Sequence, residues 1–337
     1  MSGHSWLLKL PLGKCKSTFN LEKAVCNHGF FMMAPNRWIP SSKILQRPLR
    51  LADNTTSVTV LISHPPDSSF LCVQVYHSQT PSPADQRAIL KQVTRMLRLT
   101  MRDETIVTKF QSICPEAKDI NFGRIFVRPL SLKMLSSASS FAIAGKRKRA
   151  KSEKLTTHEA NNAAPMGNFP NFEELVNIDE SCFLEKFKPI LGYRAEYILE
   201  LVEAVKTGRV SFQDLENSTE EQLCYEQVYQ NLAKIKGFGH FTCANVLMCM
   251  GHYEIVPADT ETLRHIRQVH GMKNCNKKTM EEEVRKLYDK YAPFQCLAYW
   301  MELLDRYEYK VGKLSELSSS RYHLISSVLF QEDTSNK

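Results

Sequence analysis

Two glycines one residue apart, Gly237 and Gly239, follow an apolar run at Tyr225, Val228, Tyr229, Leu232 and Ile235. That spacing matches the 3.6-residue helical period. Glycine permits positive φ, and here it leaves main-chain N–H groups uncovered where the next helix starts. A helix N-terminus with bare amides binds anions, and a phosphate suits it well. The second helix is expected from about His240 to about Gly251. A short loop with Val256, Pro257 and Ala258 follows, and Asp259 then opens a third helix with Thr260 and Glu261. The loop is short, so Asp259 must lie near the glycine turn. A phosphate grip with a carboxylate close by suggests chemistry on a nucleic-acid strand. An Asp before a helix is also a good N-cap, and the two roles are compatible.

The segment resembles the helix-hairpin-helix DNA glycosylase superfamily. There a hairpin of the form L-x-G-[VIF]-G precedes a V-P-x-D loop that carries the catalytic aspartate. Here the pieces read Ile235-Lys236-Gly237-Phe238-Gly239 and Val256-Pro257-Ala258-Asp259. The resemblance implies removal of a damaged base, with Asp259 as the catalytic carboxylate. Breaking the bond between base and sugar builds positive charge on the sugar, as in glycoside hydrolysis. A carboxylate stabilises that charge and orients or deprotonates the attacking water.

The resemblance also implies roles for neighbouring residues. Lys236 and the amides of Gly237, Phe238, Gly239 and Phe241 are the expected phosphate contacts, with a monovalent cation at the hairpin. Relatives that also cut the strand use a lysine two residues after the second glycine, where this chain has Phe241. A glycosylase without lyase activity is therefore expected. Such enzymes flip the target nucleotide into a pocket. Phe241 and Asn245 are four apart, hence on one helix face, and they match pocket-wall positions. Tyr299 and Leu303 match further positions on the last helix. Ordinary core packing is the alternative for all four. Tyr299 stands where oxoguanine readers have a glutamine, which points to an alkylated or otherwise damaged purine. The expected partner is double-stranded DNA with a damaged base, and a monomer is expected. A DNA-binding protein without catalysis is the alternative.

The chain has 337 residues, 43% of them hydrophobic, which is enough for one large or two medium domains. Its net charge of +8 is unevenly placed. Residues 1–151 hold 23 Lys+Arg against 8 Asp+Glu, and residues 152–337 hold 21 against 28. The basic first half favours a polyanionic partner. Ten cysteines without C-x-x-C pairs read as reduced thiols. Only Cys275 and Cys296 lie beyond Asp259, so the iron–sulfur cluster of some relatives is not expected. No stretch approaches the roughly 20 apolar residues of a membrane span. Glu22 is the one acid in the first fifty residues, a weak sign of organelle targeting.

These features give an α+β chain. A small mixed domain is expected at 17–124, with strands over 18–76 and a helix opening at Ser82-Pro83. The short runs Phe19–Leu21 and Phe30–Met33 are included among those strands. The run from Leu21 to Pro40 resembles the N-terminal domain of the alkylpurine and oxoguanine branches. A basic, Ser-rich linker follows at 125–168, in which Lys146, Arg147, Lys148 and Arg149 read as a nuclear import signal, a non-specific DNA contact or a solvated linker. At Val127 to Gly145 the family's long helices and its wedge residue are not found. The helical domain is expected at 169–312, with Leu297, Trp300, Met301 and Leu304 forming a core stripe. A tail follows at 313–337.

Overall fold

The computed structural model describes residues 5–127, 168, 170, 172–211, 224–322 and 325. Five strands, β1 (Ser5–Pro11), β2 (Arg37–Ile39), β3 (Ile44–Arg50), β4 (Ser57–Ser63) and β5 (Phe70–Tyr76), form an antiparallel sheet in the order β1-β5-β4-β3-β2. Val58, Val60 and Ile62 alternate with polar or half-buried neighbours, and their side chains enter the core. That alternation is the pattern of a sheet with one packed face.

Two expectations need correction. The segment 19–33 holds no strand. It forms α1 (Leu21–Cys26) and a 3₁₀ turn at Gly29–Met32. Asn20 decides this, because its side chain accepts the Lys23 N–H and caps the helix. The edge strand β1 precedes residue 17, and it pairs with β5 from Ser5↔Tyr76 to Pro11↔Phe70.

Helices α2 (Pro83–Met96), α3 (Met101–Ile113) and α4 (Pro115–Asp119) follow the sheet. Both longer ones start with reciprocal capping boxes, Ser82 with Asp85 and Thr100 with Asp103. Ile125, Phe126 and Val127 are buried, so the packed body extends past residue 124. Residues 128–167, with the basic run Lys146 to Arg149 and the place of the family's long helices, lie outside the described residues.

The second half is helical: α5 (Phe172–Val176), α6 (Glu180–Leu191), α7 (Arg194–Lys206), α8 (Tyr225–Ala233), α9 (His240–Met250), α10 (Thr260–Val269), α11 (Met280–Tyr288) and α12 (Gln295–Val311). Helix α9 is apolar nearly all round and buried from Thr242 to Met250. One core joins both halves, with Leu45, Val60, Val73, Met96 and Phe110 contiguous with Leu232, Cys243 and Leu297. The tail segment around Leu314 and Leu317 closes over it, and Trp38 Nε1 donates to Ser315 O at 2.8 Å.

A buried guanidinium also ties the halves through hydrogen bonds. Arg98, between α2 and α3, donates to Met248 O at 2.9 Å and Cys249 O at 2.6 Å. These are carbonyls in the last turn of α9, where intrahelical donors run out. Asp103 holds the same guanidinium from the other side at 3.5 Å.

Candidate nucleic-acid site

The turn between α8 and α9 is built by two glycines with different duties. Gly237 has φ +86°, and a Cβ there would meet the Tyr197 ring at 2.4 Å. Gly239 is extended and has open space around its would-be Cβ. It is the N-cap of α9 and has no side chain to cover the first-turn amides. The first N–H groups of a helix have no intrahelical acceptor, so the positive end of α9 opens outward at Gly239 and Phe241. Gly237→Ala is therefore expected to cost about 2–3 kcal/mol of stability from the strained φ and the ring clash. Gly239→Ala should shift the melting temperature by about 2 °C or less. Equal shifts for the two variants would contradict this division.

Lys236 is exposed and its ammonium meets Glu200 at 2.9 Å. That surface pair is weak and exchangeable, so a phosphate can compete for the lysine. The run Ile235 to Phe241 contains no acidic side chain. A cation at this turn would rest on main-chain carbonyls alone, a donor set that suits a loosely held monovalent ion.

His240 joins the hairpin to the loop that carries the aspartate. Its Nε2 faces Val256 O and its Nδ1 faces the Tyr229 hydroxyl, both at 3.3 Å. A carbonyl only accepts, so Nε2 donates to Val256 and Nδ1 accepts from Tyr229. The sequence reading missed this latch. A His directly after the second glycine was its visible signal.

Asp259 is the N-cap of α10 and forms a capping box with Thr262. Its Oδ1 accepts the N–H of Glu261 at 2.8 Å and of Thr262 at 3.0 Å. Its own N–H donates to Thr262 Oγ1 at 3.1 Å. Among the described residues no hydrogen-bond donor reaches Oδ2. One oxygen thus fixes the carboxylate, and the other carries no donor from the described residues. Burial pushes the Asp259 pKa up, opposed by the Thr262 amide and hydroxyl and then by the Arg264 charge. Arg264 also pairs with Glu261.

Helix α12 lies over this cap. The Tyr299 hydroxyl is 2.9 Å from Thr262 Oγ1, and its ring is 2% exposed. Asp259's charge, after burial, also helps to raise the pKa of Tyr307, a neighbour the sequence did not signal. Of the four expected pocket-wall residues, Phe241 is half-buried, while Asn245, Tyr299 and Leu303 are buried. Asn245 Nδ2 donates to Phe241 O at 2.8 Å, and its Oδ1 is a buried acceptor without a partner. Such an atom costs free energy until something donates to it. The exocyclic amine of a base is one such donor.

No protein-family model matches the chain, and no curated protein does. Solved structures do. The Clostridium acetobutylicum 8-oxoguanine glycosylase/lyase, in complex with double-stranded DNA containing cytosine opposite 8-oxoG, aligns with a TM-score of 0.56 and 13% identity, over 86% of this chain and 92% of that one. The 3-methyladenine DNA-glycosylase from Archaeoglobus fulgidus aligns with a TM-score of 0.57 and 17% identity, over 89% and 98%. The sheet, the capped helices, the glycine hairpin and the aspartate at the start of α10 together give this chain the helix-hairpin-helix DNA glycosylase fold.

Proposed function

We propose that the protein is a DNA N-glycosylase that excises a damaged purine, alkylated in preference to oxidised, and leaves an abasic site. The observation that carries this reading is Asp259: a carboxylate with one oxygen pinned by α10 amides and the other without a donor, a short loop away from the bare N-terminus of α9. The hairpin amides and Lys236 take a phosphate next to the target nucleotide. The flipped base stacks on Phe241, with Asn245 Oδ1 accepting from its edge. Asp259 Oδ2 faces the sugar, offsets the growing positive charge and orients water for attack. A monovalent cation on the hairpin carbonyls would supply further positive charge to the phosphate. We place the monomeric enzyme in the nucleus on the strength of the basic run at Lys146 to Arg149.

The test is incubation with duplex DNA carrying alkylated purines, followed by alkaline cleavage at abasic sites. Base release supports the proposal. Tight duplex binding with no release would instead leave a hairpin that only grips DNA. A separate expectation concerns strand cutting. Phe241 lacks a nucleophilic amine, so no Schiff base forms with the sugar. Borohydride should trap no covalent protein–DNA adduct, and efficient trapping would contradict the monofunctional mechanism.

A further inference from the structure

Away from the hairpin, the far end of α10 meets α11 and α12 in a cluster that the base-excision chemistry does not use. His265 and His270 come from α10 and its C-cap, Tyr288 ends α11, and Glu302 projects from α12. Glu302 Oε2 lies 3.2 Å from His265 Nε2, 3.0 Å from His270 Nε2 and 2.6 Å from the Tyr288 hydroxyl. The hydroxyl is 3.4 Å from each Nε2. The two imidazole nitrogens and the carboxylate oxygen all lie within 4.8 Å of one another.

Three donors on this one oxygen are too many. A carboxylate oxygen offers two lone pairs, and two imidazoles and a phenol converge on it. At least one Nε2 is better used as a lone pair than as an N–H. Atoms bound to a tetrahedral zinc at about 2.0–2.1 Å sit about 3.3 Å apart, close to the two N···O separations found here. Neutral imidazole with carboxylate is a donor set that suits zinc. His265 is buried, while Glu302 and His270 are partly exposed, which gives an ion a way in.

We infer that His265 Nε2, His270 Nε2 and Glu302 Oε2 form a binding site for one divalent cation of the zinc class. Water completes the coordination. Tyr288 is not a ligand: its hydroxyl is 2.6 Å from Glu302 Oε2, the distance of a phenol O–H given to a carboxylate. It donates to Glu302 and orients that ligand, the usual task of an outer partner. His265 Nδ1 has no such partner, so the affinity is expected to be on the order of micromolar rather than far tighter. The ion clamps α10 to α12, and α11 joins through the Tyr288 hydroxyl on Glu302. The His265 ring also packs edge-on against Tyr299 at 5.7 Å, and Tyr299 holds Thr262 in the Asp259 cap. Occupancy therefore stiffens the helix that presents the carboxylate. The site stands on this geometry and does not depend on the base-excision reading.

The test uses the full chain in reducing buffer after chelator treatment. Cobalt(II) chloride is titrated in and followed by its visible absorption, and zinc chloride is followed by competition with a chromophoric chelator. One equivalent should bind, with a cobalt spectrum that lacks thiolate charge transfer. Zinc should raise the melting temperature of the wild type. His270→Gln, at a partly exposed helix end, should weaken binding at least tenfold and abolish the thermal shift. Long-range proton–nitrogen spectra of the wild type should show two imidazoles responding to zinc, a readout that needs no variant to fold. Absence of saturable binding, wild-type affinity in His270→Gln, a thiolate band, or imidazoles that do not respond would each overturn the proposal.

Discussion

Replacing Asp259 with Asn is expected to slow base release about a thousandfold while the protein stays folded and bound to DNA. The substitution isolates charge from structure. Asparagine caps helices as well as aspartate does, and its Oδ1 can still accept the Glu261 and Thr262 amides that Asp259 holds at 2.8 and 3.0 Å. What it loses is the negative charge on the oxygen that no donor reaches. The rate of abasic-site formation on an alkylated duplex measures the chemical step, and gel retardation with the same duplex measures binding. Release at the wild-type rate would remove Asp259 from the mechanism.

The sign of a stability effect follows from the same carboxylate. Burial raises the Asp259 pKa above its unfolded value. The contribution of this group to stability is therefore present at low pH and is lost as pH rises through the folded pKa. At neutral pH the ionised carboxylate is a cost that asparagine does not carry. Asp259→Asn should melt no lower than the wild type at pH 7, a trade of stability for activity common at catalytic sites. The proposed catalysis needs the ionised form. The acid limb of the wild-type pH–rate profile should therefore lie above the ordinary carboxylate range and vanish from the residual activity of the variant.

The largest loss of stability is expected from Arg98→Ala, about 3–5 kcal/mol in urea unfolding. The guanidinium is buried. It satisfies Met248 O and Cys249 O, and it neutralises Asp103. Alanine would take a charged donor from two carbonyls at a buried helix end and the countercharge from Asp103. The cation also sits at the negative end of α9, where the helix dipole favours it. Arg98→Lys keeps the charge, but its single nitrogen cannot serve both carbonyls and Asp103 as the two terminal nitrogens of arginine do, so it should recover part of the loss. Because α9 runs from the glycine hairpin to Arg98, the alanine variant should, on the proposed function, also bind DNA more weakly at temperatures where it is still folded. An unfolding midpoint within experimental error of wild type would show that the two halves are held together without Arg98.

The amino-acid sequence by itself determined the local features. Gly237 and Gly239 break a helical run, so the hairpin and the start of α9 at His240 were legible from spacing. Asp259 directly before the helix opened by Thr260 and Glu261 announced a cap. Val58, Val60 and Ile62 announced a strand with one packed face. Each is a short-range signal, because backbone geometry repeats every two or every 3.6 residues. The segment 19–33 misled because its apolar residues suit a strand or a short helix equally, and the Asn20 cap chose the helix. Only the tertiary structure decided the rest. Arg98 reaches carbonyls 150 residues away. Tyr299 spends its hydroxyl on Thr262. His265, His270, Tyr288 and Glu302 meet at one oxygen. Contacts between residues far apart in the chain leave no period in it. They come into being when apolar faces pack in one register and carry their polar side chains together.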